Sequence, residues 1–192
     1  MTCFNTYQRR RLMTTGLTVL LGLSLAFPAG ASAQADEQLI DLSTDSEQAR
    51  THFWAGMEET HNVSPGAAFQ QFELAVAADP DWGIAQVMRA QSAAIPNAER
   101  LEAISQGVAA MGGATSDELL IAAAIQAVRS GNGSDAAHMV GTLSRSNPDD
   151  PYAAFWAAQT APGRDSQMDA VAMWEGLIED FPDYAPSHNM LA

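Results

Sequence analysis

The histidines of this chain are its best candidates for metal chemistry. Glu58 and His61 are three residues apart, so a helix would place both on one face, where they could share a metal ion. The alternative is a solvated polar surface at the end of a helix, and we favour it. His52, His138 and His188 each stand alone, and no zinc-type spacing of ligands occurs. The sequence therefore predicts no bound metal and no cofactor.

Aspartates offer a second possible chemistry, since five of them flank prolines: Asp79, Asp81, Asp149, Asp150 and Asp183. A calcium loop needs alternating oxygen ligands, a glycine turn and a distal glutamate, and these aspartates do not meet that pattern. We expect them to cap helices instead. No serine lies in a nucleophile elbow and no glycine loop could cradle a phosphate. We therefore predict that the protein is not an enzyme.

The first 35 residues read as a cleavable secretory signal peptide. Arginines occupy positions 9–11, an apolar run covers residues 12–27, and small residues at 31–33 suit a signal peptidase. A membrane anchor is the alternative, but the apolar run is shorter than the about 20 residues that a spanning helix needs. The arginines also resemble a twin-arginine signal. We expect a periplasmic or secreted protein with no stable membrane insertion after cleavage, and a linker over residues 36–43.

The charge of the remaining chain is strongly negative. All 23 acidic residues follow the leader, against six arginines and no lysine, which leaves a net charge of −17. Such a chain repels nucleic acid and anionic lipid surfaces, so no nucleic-acid partner is expected. We interpret the charge as a means of solubility, with a cationic partner as the open alternative.

Proline spacing predicts the architecture. Pro148 and Pro182 lie 34 residues apart, and Pro80 precedes Pro148 by twice that distance, within an alanine-rich background that lacks the alternation of strands. We predict an all-α solenoid of about four helical hairpins over residues 44–192, with capping boxes at Thr44 and Thr115 and an incomplete last repeat. The expected helices cover residues 45–60, 65–78, 82–94, 97–111, 115–129, 135–145, 151–160 and 166–179. The unfinished repeat suggests a partial chain, or a last helix that docks in a dimer.

Residues at fixed offsets in these units resemble the tetratricopeptide repeat. In the first unit they are Gly56, Ala68, Phe72, Ala75 and Pro80. The fourth unit has Ala158, Ala170, Trp174 and Pro182, the third has Ala124, Ala136, Val140 and Pro148, and the second fits poorly because Glu102 occupies a small-residue position. Segments 99–103, 113–120 and 143–148 are similar to exported bacterial members of the family.

The resemblance implies that the first helix of each hairpin lines a concave face that binds a protein or peptide. The residues it places there are Arg50, Phe53, Met57, Tyr152, Phe155 and Gln159. Aromatic and methionine side chains are common anchors in peptide grooves. The alternative is that the aromatic side chains pack between hairpins, and it covers Phe53, Trp54, Phe155 and Trp156. We predict a non-catalytic interaction scaffold of the bacterial cell envelope that binds a peptide or helix. The alternatives are a small-ligand or metal-binding periplasmic protein, and a substrate-positioning fragment of a larger enzyme.

Overall fold

The computed structural model describes residues 39–161 and 167–191, and within them the chain is helical and contains no strand. The predicted signal peptide lies outside the described residues. Nine helices occur in the described part: α1 Glu47–His61, α2 Pro65–Ala78, α3 Gly83–Ser92, α4 Asn97–Ala109, α5 Ser116–Arg129, α6 Gly133–Ser146, α7 Pro151–Thr160, α8 Gln167–Asp180 and α9 Ala185–Asn189. The predicted all-α class is confirmed.

Side chains cap three of the described helix starts, namely Ser46 at α1, Thr115 at α5 and Asp150 at α7. Thr115 accepts a hydrogen bond from the Glu118 amide while the Glu118 carboxylate accepts from the Thr115 amide, so the capping box predicted there is confirmed. The box predicted at Thr44 is wrong, because Ser46 caps α1. The Thr44 hydroxyl oxygen accepts from the Ser46 amide at 3.1 Å, before the helix begins, and its hydrogen is donated to Asp79 Oδ2 at 2.6 Å.

Small residues let the helices of a hairpin approach closely. A Cβ atom added to Gly56 in α1 would lie 2.6 Å from a ring carbon of Phe72 in α2. In the second hairpin, a Cβ on Gly107 of α4 would lie 2.8 Å from a methyl group of Val87 in α3. Glycine at these two positions is therefore required by packing rather than by backbone conformation.

Neighbouring hairpins contact one another in chain order, through α2 with α3, α4 with α5, and α6 with α7. In addition, α1 contacts α7 directly. The Trp54 ring of α1 and the Tyr152 ring of α7 have centroids 4.7 Å apart. The first and fourth hairpins therefore meet, so no groove runs uninterrupted between α1 and α7.

Residues 39–44, here called the strap, run without helical structure against the ends of the helices. Ile40 is 6 % exposed and belongs to the main core, and Leu42 packs against the same core. A smaller core around Phe155, Trp174 and Tyr184 joins α7, α8 and the start of α9. Over the described ranges, no helix combines the length and the apolar character needed to cross a membrane.

Candidate functional site

The carboxyl-terminal ends of α1, α3, α5 and α7, here called the A helices, converge on one cavity of about 250 Å³, the inner cavity. Its apolar wall includes Met57, Met88, Ile125 and Trp156, one from each A helix. Threonine and glutamine side chains also line it, among them Gln159. Four separate segments of the chain therefore combine an apolar interior with neutral hydrogen-bonding groups.

His61 lines this cavity and is almost fully buried, with 4 % of its surface exposed. Its Nδ1 atom lies 2.6 Å from the hydroxyl of Tyr184, and its ring stacks on Phe155 with a centroid separation of 4.4 Å. Burial lowers the pKa of His61 to about 3, so the imidazole is neutral near pH 7. Burial raises the pKa of Tyr184 well above its usual range, and Tyr152 and Glu58 add to that shift. The contact is therefore a hydrogen bond between two neutral groups.

The opposite ends of the A helices are covered by the strap. Its backbone amides donate to three carboxylates: Ile40 to Asp150 Oδ2 at 3.1 Å, Asp41 to Asp117 Oδ2 at 3.0 Å, and Ser43 to Glu118 Oε1 at 2.9 Å. These acceptors stand in the first turns of α5 and at the start of α7. An extended segment held by its backbone amides is bound in the way a peptide ligand would be.

Asp150 connects the strap to α7. Its Oδ1 accepts from the amides of Tyr152 and Ala153, both at 2.9 Å, while Oδ2 holds Ile40. Burial raises the pKa of Asp150, against the opposing effect of these three hydrogen bonds, and Asp117 raises it further. The side chain thus serves as a buried helix cap that also fixes the strap.

The six residues predicted to bind a partner fall into three groups. Arg50 and Tyr152 line a cleft of about 430 Å³ beside the strap, where Arg50 donates a hydrogen bond to the Thr44 carbonyl. Met57 and Gln159 line the inner cavity. Phe53 and Phe155 are fully buried between these two ends, so they pack in the interior, as the alternative interpretation held. The structure therefore does not bring the six together on one exposed surface.

His61 is the main residue of the inner cavity that the sequence interpretation missed. It was expected to form a solvated polar surface with Glu58, and that expectation is wrong: Glu58 is exposed whereas His61 is buried. A signal was present, because His61 lies four residues after the buried Met57 and so shares its helix face. No group of three or more histidine, cysteine, aspartate or glutamate side chains in the described part of the chain could hold a metal ion.

Comparison with known proteins adds no relative: no family model, no curated protein and no solved structure matches this chain. The observed features define an all-helical protein of consecutive hairpins with a strap across one end of the A helices and a small cavity at the other.

Proposed function

We propose that this protein is a non-catalytic interaction module of the tetratricopeptide type, and that its inner cavity receives one apolar side chain of a protein partner. The observation that carries the proposal is the convergence of all four A helices on a single apolar cavity with neutral polar groups. Side chains anchored in such pockets dominate the affinity of many protein interfaces.

The size of the cavity supports a side chain rather than a free small molecule. Its volume of about 250 Å³ lies below the about 300–1,000 Å³ of typical small-molecule clefts. Met57 and Met88 in its wall are unbranched and polarisable, so they can adapt to anchors of different shape. The neutral His61 adds a polar group without a charge that an apolar anchor would have to desolvate.

The route by which a partner would reach the inner cavity differs from that of a peptide that lies along an open concave groove. The contact between α1 and α7 interrupts a groove between these two helices, and the strap covers the amino-terminal ends of α5 and α7. A partner would therefore approach the carboxyl-terminal ends of the A helices. If the predicted leader is used, the encounter takes place in the periplasm or outside the cell.

Selection from a random linear peptide library tests the proposal. We expect enriched peptides to share one large apolar residue and to bind the wild-type protein saturably. Val128 lines the cavity and is 48 % exposed, so Val128→Trp should block entry without disturbing the core. The matched control is Val171→Trp, because Val171 is 38 % exposed in α8 and does not line the cavity.

Binding that is lost in Val128→Trp and retained in Val171→Trp would support the module. Failure to enrich any peptide, or equal binding by the two variants, would contradict it.

A further inference from the structure

A second cavity brings together two of the six arginines that follow the leader. Its volume is about 670 Å³, and we call it the arginine cavity because Arg100 and Arg129 line it. Phe69 of α2 and Ile95 of the connection between α3 and α4 supply apolar surface beside them. Positive charge is thus concentrated at one place in a chain that is otherwise strongly acidic.

The groups that hold these arginines are all neutral. Arg100 donates through one terminal nitrogen to the carbonyls of Ala93 at 2.8 Å and Ile95 at 2.9 Å, while its Nε is buried without a hydrogen-bond partner. Arg129 donates through Nε to the amide oxygen of Gln91 at 2.8 Å. Among the described residues, no aspartate or glutamate lines the cavity. The two guanidinium groups therefore lack a counter-charge there.

The positive charges of Arg100 and Arg129 also repel each other. Burial lowers the pKa of Arg129, and the positive charge of Arg100 lowers it further, which means that the two cations lie within electrostatic reach of each other. The nearest acidic residue along the chain from Arg100 is Glu99, which is exposed and lines a different depression. An anion in the cavity would relieve this repulsion.

The backbone beside the arginine cavity also carries partial positive charge. Helix α2 begins at Pro65 with no side-chain cap, and Pro65 and Gly66 form part of the cavity wall. Helix α4, which carries Arg100 in its first turn, also lacks a side-chain cap. Uncapped first turns present free amides and the positive end of the helix dipole. Pro65 has no amide hydrogen and Glu99 offsets the dipole of α4, so this contribution comes from the first amides of α2 that follow Pro65.

We infer that the arginine cavity binds an oxyanion, a carboxylate or a phosphate group, carried by a small ligand with an apolar portion. Arg100 and Arg129 pair with the anion through charge-assisted hydrogen bonds. Phe69 and Ile95 cover the apolar portion. The volume lies within the about 300–1,000 Å³ range of small-molecule clefts, unlike that of the inner cavity. The site is separate from the proposed partner-binding cavity, although Gln91 lines both.

Calorimetric titration of the purified protein at constant ionic strength tests this site with three probes. Phenylacetate represents a carboxylate with an apolar ring, inorganic phosphate represents the free anion, and phenethyl alcohol is the neutral analogue. We expect saturable binding of at least one oxyanion and none of the alcohol. Binding of phenylacetate alone identifies a carboxylate ligand with an apolar body, and binding of phosphate identifies a phosphate-bearing one.

Variants separate the charge from the fold. Arg129→Gln should weaken oxyanion binding by about tenfold or more, whereas Arg129→Lys should weaken it less, because the charge remains although the planar fork of donors is lost. Arg145→Gln is the matched control, because Arg145 is exposed in α6 and lies outside the cavity. A rise in the melting temperature of the wild type with the bound probe gives a second readout that needs no variant. The inference is overturned if neither oxyanion binds saturably, or if Arg129→Gln and Arg145→Gln bind with equal affinity.

Discussion

The Nδ1 atom of His61, in the last turn of α1, lies 2.6 Å from the hydroxyl oxygen of Tyr184, the residue that precedes α9. The two residues are 123 positions apart in the chain. A second contact also joins the end of α1 to α9, because the Asn189 side-chain amide donates to Asn62 Oδ1 at 2.8 Å. The first hairpin is thus fastened directly to the segment that follows the fourth.

The buried His61 predicts a pH dependence of stability. Unfolding returns its pKa from about 3 to its ordinary value of 6.5, so the unfolded chain takes up a proton that the folded one refuses. The titration of His61 therefore does not lower the free energy of unfolding above pH 6.5, and it lowers that free energy progressively as the pH falls towards 3. The loss should approach about 1.4 kcal/mol per pH unit. Urea unfolding of the wild type and His61→Gln between these limits measures it.

The quantity to compare is the difference in the free energy of unfolding between the wild type and His61→Gln at each pH. Asp150 has a raised pKa, so its own contribution favours the folded state at low pH and opposes that of His61. Because both proteins retain Asp150, its contribution cancels in this difference. His138→Gln, at an exposed position, is the control. If His61→Gln and His138→Gln show the same pH profile, the imidazole of His61 is not buried as described.

Gly56 tests the close approach of α1 and α2. A Cβ there would meet the fully buried ring of Phe72 at 2.6 Å, and that ring has no free space to move into. Gly56→Ala should lower the free energy of unfolding by about 1–3 kcal/mol. Gly176→Ala, in the middle of α8 with nothing within 4 Å, should instead be neutral or stabilise by about 0.5–1 kcal/mol. Equal midpoints of unfolding for the two variants would refute this packing.

The helices and the small-residue contacts of the first hairpin followed from local patterns, because capping residues, prolines and glycines act within a few positions. Thr115 illustrates this, since both members of its capping box lie in the same turn. Thr44 shows the limit. Its hydroxyl was predicted to cap the helix locally, yet it donates to Asp79, which directly follows α2 and lies 35 residues along the chain.

The candidate site was harder to predict because it depends on which A helices meet. Repeat position predicted that Met57 and Gln159 share one concave surface with the other four residues, and it gave no indication that α1 and α7 would touch. Phe53 is buried against Phe72 and Trp82, and Phe155 against Trp174 and Tyr184. Tyr152 lies at the opposite end of α7, beside the strap. The strap itself was expected to be a linker, since nothing in residues 39–44 identifies the distant carboxylates that hold it.

Glu118 should control the attachment of the strap. Its fully buried carboxylate accepts from the Ser43 amide and hydroxyl, from Trp82 Nε1 at 2.7 Å, and from the Thr115 amide at 3.1 Å. In Glu118→Gln an amide group replaces one acceptor and faces another donor, at a cost of about 2 kcal/mol. Hydrogen exchange at the amides of residues 40–43 should then accelerate.

A matched control exists at the same helical position. Glu99 is the third residue of α4, as Glu118 is of α5, but it is exposed. Glu99→Gln should leave both the unfolding free energy and the exchange of the strap amides unchanged. Unaltered exchange in Glu118→Gln would show that the strap does not depend on this carboxylate.

The inner cavity depends on the closure of the first hairpin onto the fourth hairpin and onto α9, which follows it. Chemical cross-linking of the end of α1 to α9 tests that closure. The only cysteine of the chain is Cys3, within the predicted leader, so cysteines introduced at Asn62 and Asn189 into protein lacking residues 1–35 would be the sole thiols. Their side chains touch in the folded protein. A short bismaleimide should therefore link them rapidly within one monomer, whereas a control pair at Asn62 and the exposed Ser116, at the opposite end of the A helices, should not react in that way. Equal cross-linking of the two pairs, or none in either, would contradict the closed arrangement.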